Sequence, residues 1–176
     1  MEFSSLSAYS SIKRDSWGIS SAHSEETELK DENTLIAELY QNQIVKYLLV
    51  PEDVEIPVGL DKEMIVINLP AESVYTDSVQ AKERLKEMEL EEIITVENEE
   101  SAEKPEYKNL ILEECDLAIL SDDFLEDEEQ TELLYEVAER LTTLGIPAIV
   151  DRSEDEESED AQAEWQMIYE ELFKNR

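Results

Sequence analysis

Leu117-Ala-Ile-Leu120, then Ser121-Asp-Asp-Phe-Leu-Glu-Asp-Glu-Glu-Gln130, then Thr131-Glu-Leu-Leu-Tyr-Glu-Val-Ala-Glu-Arg-Leu-Thr-Thr-Leu144, then Gly145-Ile-Pro-Ala-Ile-Val150: this stretch decides the fold. It reads as strand, helix, strand. The two short apolar runs suit strands buried on both faces. Between them, Leu133, Leu134, Val137, Ala138, Leu141 and Leu144 fall within about 140° of a helical wheel. Gly145 suits the left-handed residue that ends a helix. Two strands joined through a helix run parallel, with a right-handed crossover.

The same alternation extends toward the N-terminus. Pro105 to Glu114 reads as a helix with proline in its first turn, and Glu92-Ile-Ile-Thr-Val96 as a strand. Asp77 or Ser78 caps a helix whose Ala81, Leu85 and Met88 share a face. Met64-Ile-Val-Ile-Asn-Leu69, closed by Pro70, reads as the first strand of the set. The expected fold is α/β: a small parallel sheet of about four strands flanked by helices, over residues 62–152. Residues 25–61 are expected to hold a helix and a connector. The helix starts at Asn33 or Thr34, carries Leu35, Leu39, Ile44, Tyr47 and Leu48, and stops at Pro51. Residues 1–24 form a Ser-rich arm punctuated by Phe3, Leu6, Tyr9, Ile12, Trp17 and Ile19. Residues 153–176 are an acidic linker and a C-terminal helix. Its stripe of Trp165, Ile168, Tyr169 and Leu172 reads as a docking face for the chain's own core.

Charge dominates everything else. Asp and Glu number 47 against 14 Lys and Arg, a formal net charge of −33 on 176 residues. The arm is neutral, since Glu2 and Asp15 offset Lys13 and Arg14, so all of the excess lies in residues 25–176. Such a surface repels DNA, RNA and anionic membranes and attracts the proteins that bind them. Salt adaptation is a weaker explanation: Glu outnumbers Asp 35 to 12, and lysine is retained at nine residues. The 41% hydrophobic content supports a folded core. A single cysteine, Cys115, excludes an internal disulfide and points to a reducing, cytoplasmic setting. No apolar run approaches the roughly 18 residues of a membrane span.

Catalytic constellations are sparse. A Ser-His-acid triad depends on His23, the single histidine, which lies in the arm. Zinc sites need several Cys or His, and a calcium loop needs regularly spaced acids ahead of a glycine; neither pattern occurs. No cofactor or metal is expected. Acids instead line the helix within the deciding stretch. Glu129, Glu132, Glu136 and Glu139 form one row, and Asp122, Asp123 and Asp127 extend its field past the helix start. Like charges three and four residues apart destabilise a helix by about 0.2–0.5 kcal/mol per pair. These seven residues are the expected partner-binding set.

Cys115-Asp-Leu-Ala-Ile-Leu120, and the Glu-bearing helix running into Leu144-Gly-Ile-Pro-Ala-Ile-Val150, resemble the nucleoside 2-deoxyribosyltransferase-like family. The resemblance covers residues 64–150. It implies a small Rossmann-type fold, a catalytic Glu at Glu136 and a substrate-binding Asp at Asp122 or Asp123. The family's glycine loop after its first strand would fall at Asn68-Leu-Pro-Ala-Glu72, which has no glycine. In charge and size the chain is similar to phage-encoded DNA-mimic inhibitors of the antirestriction and anti-CRISPR type. The leading expectation is therefore a non-enzymatic acidic inhibitor of a basic nucleic-acid-binding protein. A nucleoside-processing enzyme using Glu136 is one alternative. An adaptor subunit binding through the N-terminal arm is the other.

Overall fold

The computed structural model describes residues 10–14, 35–40, 44–56, 58–97, 104–121, 128–155 and 159–173. They divide into two units, Met1–Pro70 with Glu156–Arg176, and Ala71–Asp155.

The first unit is built on a mixed sheet. Strands β1 (Ser10–Arg14), β2 (Leu35–Tyr40), β3 (Ile44–Pro51) and β4 (Ile65–Leu69) lie in chain order. β1, β2 and β3 pair antiparallel; β3 and β4 pair parallel. The helix expected over residues 34–50 is thus an antiparallel hairpin. Leu35 and Leu39 fit a period of 3.6, but with Ala37 between them they fit a period of 2 equally well. The β-branched and aromatic content of Ile44-Val-Lys-Tyr-Leu-Leu-Val50 decides for strand. Part of the expected N-terminal arm is also strand, since β1 completes this sheet. The C-terminal helix α4 (Glu159–Phe173) packs on β1 and β4. Its Trp165, Ile168, Tyr169, Leu172 and Phe173 are buried, so the apolar stripe serves the chain's own core.

The second unit is the parallel α/β layer. Its strands are β5 (Val74–Thr76), β6 (Ile94–Glu97), β7 (Leu117–Ser121) and β8 (Ala148–Asp151), in the order β6-β5-β7-β8. All three pairings are parallel. The first strand is therefore Val74–Thr76, and Met64–Leu69 belongs to the other sheet. A three-residue strand carries almost no periodic signal, while the longer apolar run before it does.

Helices α1 (Val79–Glu87), α2 (Tyr107–Leu112) and α3 (Glu128–Thr143) make the crossovers. Ser78 caps α1, its Oγ accepting the Ala81 N–H at 3.1 Å. Right-handed crossovers in this strand order put α2 and α3 on one face and α1 on the other. Burial agrees. Leu110 of α2 and Leu134, Val137 and Leu141 of α3 share a core with Ala118, Leu120, Ala148 and Val150. The intervening Leu117, Ile119 and Ile149 face the other way, where Ala81 and Leu85 of α1 are also buried. No described helix is long and apolar enough to cross a membrane.

Candidate functional site

Parallel strands give the second unit two unlike ends. At the carboxyl ends lies the point where the strand order reverses, between β5 and β7. In open α/β sheets this is where ligands bind. Each of β5, β7 and β8 ends in a hydroxyl or an acid, and Thr76, Asp77, Ser121 and Asp151 are all buried. Every one is engaged. Thr76 Oγ1 donates to the Ile119 carbonyl at 2.7 Å and accepts from the Ser78 N–H at 3.1 Å. Asp77 Oδ1 accepts the Ser121 N–H at 2.8 Å, and Asp151 Oδ1 accepts the Ser153 N–H at 2.8 Å. These side chains satisfy the backbone where strands turn into loops. The loop after the first parallel strand is Asp77-Ser78 rather than Asn68–Glu72, and it too lacks glycine. Sequence reasoning took Asp77 only as a possible helix cap and did not single out Thr76, Ser121 or Asp151. Their signal was the hydroxyl-and-acid step after each strand: Tyr-Thr-Asp-Ser, Leu-Ser-Asp, Val-Asp-Arg-Ser.

Helix α3 carries the expected acidic row. Glu129, Glu132, Glu136 and Glu139 are all exposed, opposite the buried Leu134, Val137 and Leu141. One flank of the row is screened. Lys104 Nζ meets Glu136 Oε1 at 2.6 Å, and the Arg140 guanidinium lies 5.9 Å from the centre of the Tyr107 ring. Burial pushes the Tyr107 hydroxyl above its ordinary value. Lys104 and Arg140 work against that shift and Glu136 works with it. Asp122, Asp123 and Asp127 lie outside the described residues. Among the described residues no group of three or more His, Cys, Asp or Glu could hold a metal ion.

The amino ends of the sheet carry a second acidic surface. Glu72 precedes β5; Glu89, Glu91 and Glu92 precede β6; Glu113 and Glu114 precede β7; all six are exposed. A hydrogen-bond web holds three of the strand starts together. Ser73 Oγ donates to the Glu113 carbonyl at 2.9 Å and lies 2.7 Å from Thr95 Oγ1. The half-buried Asp116 accepts the N–H groups of Glu72 and Ser73 at 2.9 and 3.3 Å. Burial raises its carboxyl above the usual aspartate range, and those two bonds oppose the shift. Cys115 is buried here, 3.5 Å from Thr95 Oγ1.

Two acids of this rim occupy unfavourable backbone. Glu89 and Glu114 follow the C-caps of α1 and α2, with φ of 59° and 50°. At the same place after α3 stands Gly145, with φ of 81°. Left-handed backbone costs a residue with a Cβ about 1–2 kcal/mol. A carboxylate at a helix C-terminus also faces the negative end of the macrodipole. Stability disfavours Glu at both places on two separate counts.

In comparisons with protein-family models, with curated proteins and with solved structures, nothing matched this chain.

Proposed function

We propose that this chain is a non-enzymatic acidic decoy, acting in the cytoplasm, that occupies the nucleic-acid-binding surface of a basic protein and inhibits it. The observation that carries this reading is the placement of Glu89 and Glu114. Each is a carboxylate at a helix end, on left-handed backbone, where glycine would relieve the fold. Residues that oppose the fold mark a demand made from outside it. Among the acids whose exposure is described, Asp77 and Asp151 alone are buried, so the others lie at least partly open to a partner.

Two faces serve the role. The α3 row offers carboxylates at helical spacing, and the rim offers a cluster held by backbone bonds. Many modest contacts steer a cationic partner quickly and weaken together as salt rises. The test is capture on the immobilised chain at low salt, followed by elution with duplex DNA or with salt. Nucleic-acid-binding proteins should be retained and released by either. A retained set that neither DNA nor salt displaces overturns the reading.

A further inference from the structure

We infer that Ile111 and Leu112 form an apolar anchor beside the acidic rim, and that the surface they share receives a basic amphipathic helix of the partner. This rests on the decoy reading and adds to it the partner's shape and chemistry. Leu110 of α2 is fully buried, whereas the next two residues, Ile111 and Leu112, are 55% and 66% exposed. Helical spacing puts Lys108, Ile111 and Leu112 on one outward face, with the apolar pair at the end nearest the rim. The Glu114 N–H donates to the Ile111 carbonyl at 3.2 Å, so anchor and rim are one continuous piece of backbone. Ser73, bonded to the Glu113 carbonyl, brings the Glu72 segment alongside.

An apolar pair with carboxylates on its rim side, and Lys108 a helical turn away on the other, is the complement of an apolar centre bordered on one side by cations. That is the layout of a binding hot spot with a charged rim. A second copy of this chain would bring its own negative border and be repelled, as would nucleic acid or an anionic membrane. A basic amphipathic helix supplies both halves, with apolar residues at i, i+3 and i+4 and Lys or Arg beside them.

The test uses two labelled peptides of equal charge, a helical Lys/Leu peptide and an oligolysine, titrated with the full chain and followed by fluorescence anisotropy. Ile111→Ser with Leu112→Ser should weaken the Lys/Leu peptide about tenfold and leave oligolysine unchanged. Glu113→Gln with Glu114→Gln should weaken both. The first variant exchanges exposed side chains, so its urea midpoint should match the parent's and exclude misfolding. Equal binding of the Lys/Leu peptide by parent and variant overturns the anchor. So does an equal loss on both peptides, or a dimer in sedimentation that the variant abolishes. If the parent binds neither peptide, the decoy reading fails with it. If it binds both with no dependence on Ile111 and Leu112, the anchor alone fails.

Discussion

At the carboxyl ends of the parallel sheet, Asp77 and Asp151 are buried and each accepts a backbone N–H group. At the amino ends, Glu89 and Glu114 are exposed and sit on left-handed backbone. The same chemical group works for the fold in the first pair and against it in the second. A net charge averaged over the chain conceals this division. The acids that close loops are structural, and the acids that strain helix ends are the ones that need a functional account.

The contrast can be broken most severely at Asp77. Asp77→Ala strips the Ser121 N–H of its buried acceptor and should cost about 1–3 kcal/mol in chemical denaturation. A change near zero would remove the claim that the carboxyl-end acids are structural. Next comes Gly145, which already fills the position that Glu89 and Glu114 fill elsewhere. Nothing lies within 4 Å of a Cβ added there, so Gly145→Ala isolates the backbone cost. The expected loss is about 1 kcal/mol, read from the same unfolding curves.

Asp116 sharpens the comparison through pH. Its folded carboxyl titrates above the usual aspartate value because it is partly buried. A raised acid adds stability that is full below its unfolded value and is lost as pH climbs through the folded one. Relative to Asp116→Asn, the parent should therefore lose ground as pH rises across that window. Urea titrations at several pH values measure the gap, and a gap that holds constant counts against the assignment. The smallest effect belongs to Glu136→Gln. The Lys104–Glu136 pair is exposed on both sides, and its loss should move stability by less than about 0.5 kcal/mol. Binding to a basic partner should hardly change, whereas an enzyme relying on Glu136 would lose turnover.

Much of the second unit was legible in the sequence. The strand–helix–strand reading over residues 117–150 matches β7, α3 and β8. Ser78, one of the two caps the sequence offers, caps α1, and the Gly145 stop is where the sequence places it. The outward face of α3 follows from helical spacing alone. The β2–β3 hairpin did not follow, because apolar spacing there fits two periods, and β5 did not because it is three residues long. The rim was illegible for a different reason. Glu72, Glu89 and Glu114 are far apart in the chain, and parallel topology alone brings strand starts to one end. Nor is Glu a helix-stop signal, so its left-handed backbone at two helix ends has no sequence mark.

Glu89 and Glu114 of the rim are placed against the interest of the fold. The most direct measurement is urea unfolding at neutral pH of the parent and of the Glu89→Gly, Glu114→Gly double variant. A gain of about 1 kcal/mol per site, with an unchanged denaturant slope, is expected. A double variant that unfolds at lower urea than the parent would contradict it, and Glu89 and Glu114 would then be ordinary parts of the fold.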